Sequence, residues 1–135
     1  MNELSLAATL SNLSTVQNFI RANLGDSYPA KFLMQLELVV EEIFVNIAQY
    51  AYAPNAGSVR LSVHVDDDAV TLTFIDSGLE YNPLEQPEPD VNLPLEDRAP
   101  GGLGIFLAKK LVDNISWQRV DNQNCLRVTK KYCHD

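Results

Sequence analysis

Apolar residues recur along this chain at two periods. Val16, Phe19, Ile20 and Leu24 fall at helical spacing, so one helix with a single apolar face is predicted there. Ser11 or Asn12 stands where an N-cap is wanted, and Gly25-Asp26-Ser27 ends the helix. A second, longer helix is predicted from Pro29, in its first turn, to about Ala51. Phe32, Leu36, Val39, Ile43 and Ile47 form its stripe, at intervals of four, three, four and four. A third helix is expected from Gly104 to Val112, with Ile105, Ala108, Leu111 and Val112 facing inward.

The other segments alternate with a period of two. Glu3 to Ala7 reads as a first strand. Val59, Leu61, Val63 and Val65 alternate with Arg60, Ser62 and His64, which predicts a strand with one wet face. After the acidic turn Asp66-Asp67-Asp68, Val70, Leu72 and Phe74 alternate with Thr71 and Thr73. The two runs make an antiparallel hairpin. Ile115–Arg119 and Asn124–Val128 make a last hairpin around Asp121-Asn122-Gln123. The order β-α-α-β-β-α-β-β predicts an α+β fold: a two-layer α/β sandwich with a mostly antiparallel sheet and helices on one face.

The length of 135 residues suits one domain, taken as residues 1–135. No apolar run approaches the ~20 residues of a membrane span, and no signal peptide is read at the N-terminus. The net charge of −8 argues against nucleic acid or an anionic membrane as partner. Cys125 and Cys133 lack metal-ligand spacing and read as free thiols of a cytoplasmic protein. An anionic ligand must then be held by local dipoles, a metal ion and a few cations.

One stretch breaks both periods. Residues 79–100 carry Pro83, Pro87, Pro89, Pro94 and Pro100 among repeated acids, so neither helix nor central strand is expected. The stretch lies between Asp76-Ser-Gly78, which ends a strand, and Gly101-Gly-Leu-Gly104, which opens a helix. It reads as a lid over a site. Glycines allow close approach of backbone to a ligand, and a helix N-terminus presents free N–H groups to an anion. Glu42 and Asn46, four apart, project from one face of the long helix beside its buried stripe. A carboxylate and an amide there can accept a proton and ligate Mg²⁺. Each motif has an ordinary reading alone: solvated helix residues, a turn, a mobile connector. Arg98, Lys109, Lys110, Lys130 and Lys131 are cations able to touch phosphate or simply to solubilise.

Taken in order, the motifs resemble the Bergerat ATP-binding fold, the GHKL superfamily of DNA gyrase, MutL and the histidine kinases. Within it the chain is most similar to the anti-sigma-factor serine/threonine kinases of the RsbW and SpoIIAB type. Asn46-Ile-Ala-Gln-Tyr50-Ala-Tyr52 stands where that family carries Asn-Ala-x-x-His-Ala/Gly-Tyr. Asp76, Gly78, Tyr81, Asn82 and Pro83 match its Asp-x-Gly and following Phe/Tyr-Asp/Asn-Pro, and Gly101 to Ile105 its Gly-Gly-x-Gly-Ile/Leu. The resemblance implies that Glu42 is the general base toward a serine hydroxyl, Asn46 a Mg²⁺ ligand, and Asp76 the reader of adenine with Gly78 beside the base. It implies that Gly101, Gly102 and Gly104 surround the phosphates, that Arg98 meets the γ-phosphate or a partner, and that Thr129 places a hydroxyl near the base. ATP and Mg²⁺ are the implied cofactors. The implied partners are a STAS-domain anti-anti-sigma protein, a sigma factor and a second copy of the chain. Tyr50 and Ile47 depart from the family's histidine and alanine. An ATP-liganded binding module without kinase activity is the alternative, and the detached catalytic domain of a histidine kinase a third reading.

Overall fold

Strands with one apolar face need a second layer to cover it, and here the helices supply that layer. A computed structural model of the chain describes residues 2–50, 57–85 and 102–132. Strand β1 (Asn2–Ala7) leads through a 3₁₀ turn into helices α1 (Leu13–Leu24) and α2 (Ala30–Tyr50). Strands β2 (Ser58–Val65) and β3 (Ala69–Asp76) follow. A second 3₁₀ turn (Pro83–Glu85) precedes helix α3 (Gly102–Leu111) and strands β4 (Asn114–Val120) and β5 (Gln123–Lys131). The five strands are ordered β1-β2-β3-β5-β4, and every neighbouring pair is antiparallel. The fold is the expected α+β sandwich.

Alternation decides which side chains meet the helices. Val59, Leu61 and Val63 of β2, Val70, Leu72 and Phe74 of β3, and Leu126 and Val128 of β5 are buried inward. They pack against Val16, Ile20 and Leu24 of α1 and against Phe32, Leu36, Val39, Val40, Ile43, Phe44 and Ile47 of α2. Two consecutive pairs, Val39-Val40 and Ile43-Phe44, are buried, so the inward stripe of α2 is wider than the single row expected. The other face of the sheet carries Arg60, Thr71, Thr73, Ser116, Arg127 and Thr129, out of phase with the core.

The turns follow side-chain chemistry. Asp66 Oδ1 accepts the N–H groups of Asp68 and Ala69, each at 2.8 Å, and these bonds lower the carboxyl pKa. Asp121 and Asn122 take φ of 52° and 61°, which a two-residue hairpin loop of the primed type requires.

The starts of the three helices differ from those expected. Neither Ser11 nor Asn12 caps α1 through its side chain: Asn12 Nδ2 instead donates to the Ala7 carbonyl at 2.8 Å. Pro29 sits just outside α2, where its carbonyl accepts the Leu33 N–H at 3.1 Å. Helix α3 begins at Gly102, not Gly104. Two glycines therefore lie inside its first turn, and a β-carbon at the second, Gly104, would displace a neighbouring side chain.

The packing predicts a contrast. Phe44→Ala, at a fully buried position, should cost about 3–5 kcal/mol in urea unfolding, while Ser116→Ala on the exposed face should stay within about 0.5 kcal/mol.

Candidate functional site

The site grows from the inward end of the central strand. Asp76 continues the inward row of Val70, Leu72 and Phe74, so its carboxylate is carried into the interior, where the residue is 5% exposed. A buried carboxylate needs donors. Its Oδ1 receives the Gly78 N–H at 3.0 Å and Asn124 Nδ2 at 2.9 Å. Asn124 pairs with Asp76 across the β3–β5 ladder and is equally buried. Its amide also donates to the Leu79 carbonyl at 2.7 Å and accepts the Tyr81 N–H at 3.2 Å. Arg119 Nη1 donates to the Gly78 carbonyl at 2.9 Å. Strand end, turn and the start of the proline-rich stretch are thus tied into one network. Oδ2 of Asp76 receives no hydrogen bond among the described residues.

The facing wall is α2. Asn46 is 7% exposed and Glu42 lies one turn before it, partly buried. Burial, and secondarily the charge of Glu41, raise the Glu42 pKa above the usual glutamate value. Gly104 of α3 explains where that carboxylate rests. A β-carbon added at Gly104 would lie 1.8 Å from Glu42 Oε2 and 2.7 Å from its carboxyl carbon. The first turn of α3 therefore touches the Glu42 carboxylate, and a side chain at Gly104 would push that carboxylate aside. The candidate base and the candidate anion-binding helix end meet at one point.

Between these walls lies a cavity lined by Ile43, Asn46, Asp76, Tyr81, Trp117 and Asn124, with Ile47, Pro83 and Leu126. Its volume is about 20 Å³, room for roughly one water. A flat aromatic ligand fits only when the lining side chains part. Apolar walls around one acid and two amides suit a heteroaromatic ring bearing an amine.

The structure brings Glu42, Asn46, Asp76 and Gly78 to one side of the sheet and sets Gly104 against Glu42. It separates Thr129 from them. Thr129 alternates with the inward Val128 and Lys130, its Oγ1 lies 3.5 Å from Thr71 Oγ1, and the sheet stands between it and the cavity. The polar residue that β5 offers to the cavity is Asn124. Its phase with Leu126 and Val128 was the signal for it. Lys130 is also not available to phosphate: it is buried, donates to the Leu111 carbonyl at the end of α3, and lies 5.5 Å from the Phe32 ring centre. Lys109 Nζ donates to the Leu84 carbonyl at 3.2 Å. The first part of the expected lid is ordered: Pro83 is buried and residues 83–85 form a 3₁₀ turn. Arg98, Gly101 and residues 86–100 of the lid lie outside the described residues.

Among the described residues no cluster of three His, Cys, Asp or Glu side chains forms a metal cage. One inward amide oxygen at Asn46 fits a Mg²⁺ that keeps most of its shell from phosphates and water.

A two-layer fold with a buried acid, an inward Glu/Asn helix face and a glycine-opened helix defines a nucleotide-binding class of domain. The chain belongs to the histidine kinase-like ATPase domain family, whose model matches residues 6–130. A serine/threonine-protein kinase, BtrW of Bordetella bronchiseptica, is 30% identical over 107 residues, 78% of this chain and 75% of its own. The serine-protein kinase RsbW of Halalkalibacterium halodurans is 29% identical over 99 residues, 70% of this chain and 60% of its own. That of Bacillus mycoides is 26% identical over 84 residues, so the match spans about half (52%) of that relative. The mycobacterial sensor histidine kinase MprB shares the fold with a TM-score of 0.56 at 13% identity, covering 98% of this chain and 100% of that structure.

Two outcomes follow from the geometry. Asn124→Ala should destabilise the chain by about 1–3 kcal/mol, because Asp76 keeps its burial and loses a donor. The Glu42 carboxyl, followed by NMR, should titrate above 4.5. A raised folded pKa means that the folded state holds the proton more tightly. Stability from this group therefore falls as pH rises from the unfolded to the folded pKa. Glu42→Gln should remove that slope and stabilise the chain at neutral pH.

Proposed function

We propose that the chain is an ATP-dependent protein serine/threonine kinase of a bacterial partner-switching system, acting in the cytoplasm. Its substrate is a serine or threonine hydroxyl of a STAS-domain anti-anti-sigma protein. Its regulatory output is sequestration of a sigma factor by a homodimer of this domain, residues 1–135. The names of the relatives support the reaction class, and the resemblance of the whole motif series supports the partners. The observation that carries the reading is the contact of Glu42 with the first turn of α3.

In this reading the adenine amine donates to Asp76, whose Oδ2 is left over from the network that fixes Oδ1. Ile43 and Ile47 of α2 and Leu126 of β5 exclude water from the base. The N–H groups at the start of α3, Gly102 and Gly104 among them, face the phosphates, with Gly101 and Arg98 just upstream. Asn46 would hold Mg²⁺ through its amide oxygen, and the ion supplies charge neutralisation on the phosphates. Phosphoryl transfer is mostly positioning and electrostatics. Glu42 takes the proton of the attacking hydroxyl as the oxygen–phosphorus bond forms and ADP leaves. Its raised pKa makes it a stronger base than an exposed glutamate. Once a nucleotide is present, the carboxylate must leave room at Gly104 for phosphate, so in this reading the base and the γ-phosphate are neighbours.

Calorimetric titration with ATP should show binding that needs Mg²⁺ and that Asp76→Asn weakens by at least about tenfold. Glu42→Ala should lower phosphorylation of the antagonist by about 10²–10⁴-fold and leave ATP affinity and partner binding nearly unchanged. Gly104→Ala should fold normally and transfer phosphate poorly, because the new methyl pushes the Glu42 carboxylate aside. Full phosphotransfer by Glu42→Ala would remove Glu42 from the mechanism. Intact regulation in cells carrying Glu42→Ala would point to an ATP-liganded binding module instead.

A further inference from the structure

Trp117 is the sole tryptophan of the chain, and its Nε1–H is buried without an acceptor among the described residues. An indole N–H shut away from water almost always finds a partner, because an unmade bond leaves the full desolvation cost. The orphan is not in the hydrophobic centre. Trp117 lines the cavity that Asp76, Asn124 and Asn46 also line.

The sheet register fixes how these groups relate. Val59, Asp76, Asn124 and Arg119 form one cross-strand row, and Leu61, Phe74, Leu126 and Trp117 form the next. Consecutive inward rows are about 7 Å apart along the strands. The cavity is therefore bordered by a carboxylate that can only accept and, one row on and two strands over, by an indole that can only donate. No side chain described here joins the two.

We propose that Trp117 is a base-specificity residue, whose Nε1–H donates to a ring nitrogen of the bound nucleobase while Asp76 accepts from its exocyclic amine. This inference rests on the nucleotide reading given above. An amine donor next to a ring-nitrogen acceptor is the pattern of an adenine edge. Guanine sets a carbonyl oxygen beside N7 or beside an N1–H, and neither of those edges satisfies both protein groups; its remaining amine-and-acceptor edge, N2 with N3, lies against the ribose on N9. Asp76 alone rejects the carbonyl. The added indole donor ranks purines by whether they present an acceptor at the second point.

The test compares Trp117→Phe with the wild-type chain in Mg²⁺-ATP titration, using ATP and its 1-deaza, 3-deaza and 7-deaza analogues. Phenylalanine keeps an aromatic wall and removes only the donor. ATP should bind about tenfold more weakly to the variant. One deaza analogue should bind both proteins equally, since it lacks the atom that the indole would meet. Equal ATP affinity in both proteins overturns the proposal, and so does a uniform loss across ATP and all three analogues, which marks packing alone. If the variant does not fold, the wild-type chain decides. Its single indole gives a Raman N–H marker band that should shift to the hydrogen-bonded position on adding ATP, and an unmoved band at saturation overturns the proposal. Wild-type protein that binds no nucleotide overturns the nucleotide reading itself. Binding that Asp76→Asn abolishes and Trp117→Phe leaves intact overturns only the role of the indole.

Discussion

A carboxylate buried at the end of the central strand is the constraint from which the site follows. Asp76 is carried inward by the same alternation that buries Leu72 and Phe74. Its position is not negotiable without a slip of register, which would turn the whole strand inside out. The chain offsets the burial with the Gly78 N–H and the Asn124 amide, and Asn124 in turn holds the backbone at Leu79 and Tyr81. One acid therefore organises the strand end, the turn and the first residues of the loop. Among the described residues only one of its oxygens is satisfied, and in the proposed reading the other is left for the amine of a nucleobase.

The opposite wall shows how one helix serves core and chemistry together. Val39, Val40, Ile43, Phe44 and Ile47 press α2 onto the sheet. Glu42 and Asn46 flank that stripe, so the core fixes their direction. The packing of that stripe thus sets the directions in which Glu42 and Asn46 leave α2. Gly104 adds the second point of contact, since α3 approaches Glu42 so closely that a β-carbon there would displace its carboxylate.

The elements, their order and the two-layer arrangement were legible because hydrophobic period reports directly on the face that is buried. The pairing of Glu42 with Asn46 was legible for the same reason, and Asp76 through its place at a strand end. Thr129 was misplaced because a hydroxyl near the end of the chain matched an expectation of chemistry, while its phase with Val128 pointed outward. The same phase marks Asn124 inward. Arg119 and Trp117 carried no motif, since β4 is an edge strand whose inward residues are recognised only once its partner β5 and their register are known. The start of α3 was missed by two residues because glycines argue against helix locally, and the contact that requires one of them is made by a residue 62 positions earlier in sequence. Lys130 looked like a free cation; the Leu111 carbonyl at the end of α3 and the Phe32 ring claim it.

The central claim is that Asp76, Asn124 and Glu42 border one nucleotide site on the helical side of the sheet. Amide NMR of isotope-labelled protein titrated with a non-hydrolysable Mg²⁺-ATP analogue tests it most directly. The largest shifts should fall on Gly78, the Asn124 side-chain amide, Asn46 and Gly104, with Thr71, Thr73 and Arg127 on the outer face nearly still. Shifts centred on that outer face, or none at saturating nucleotide, would contradict the account.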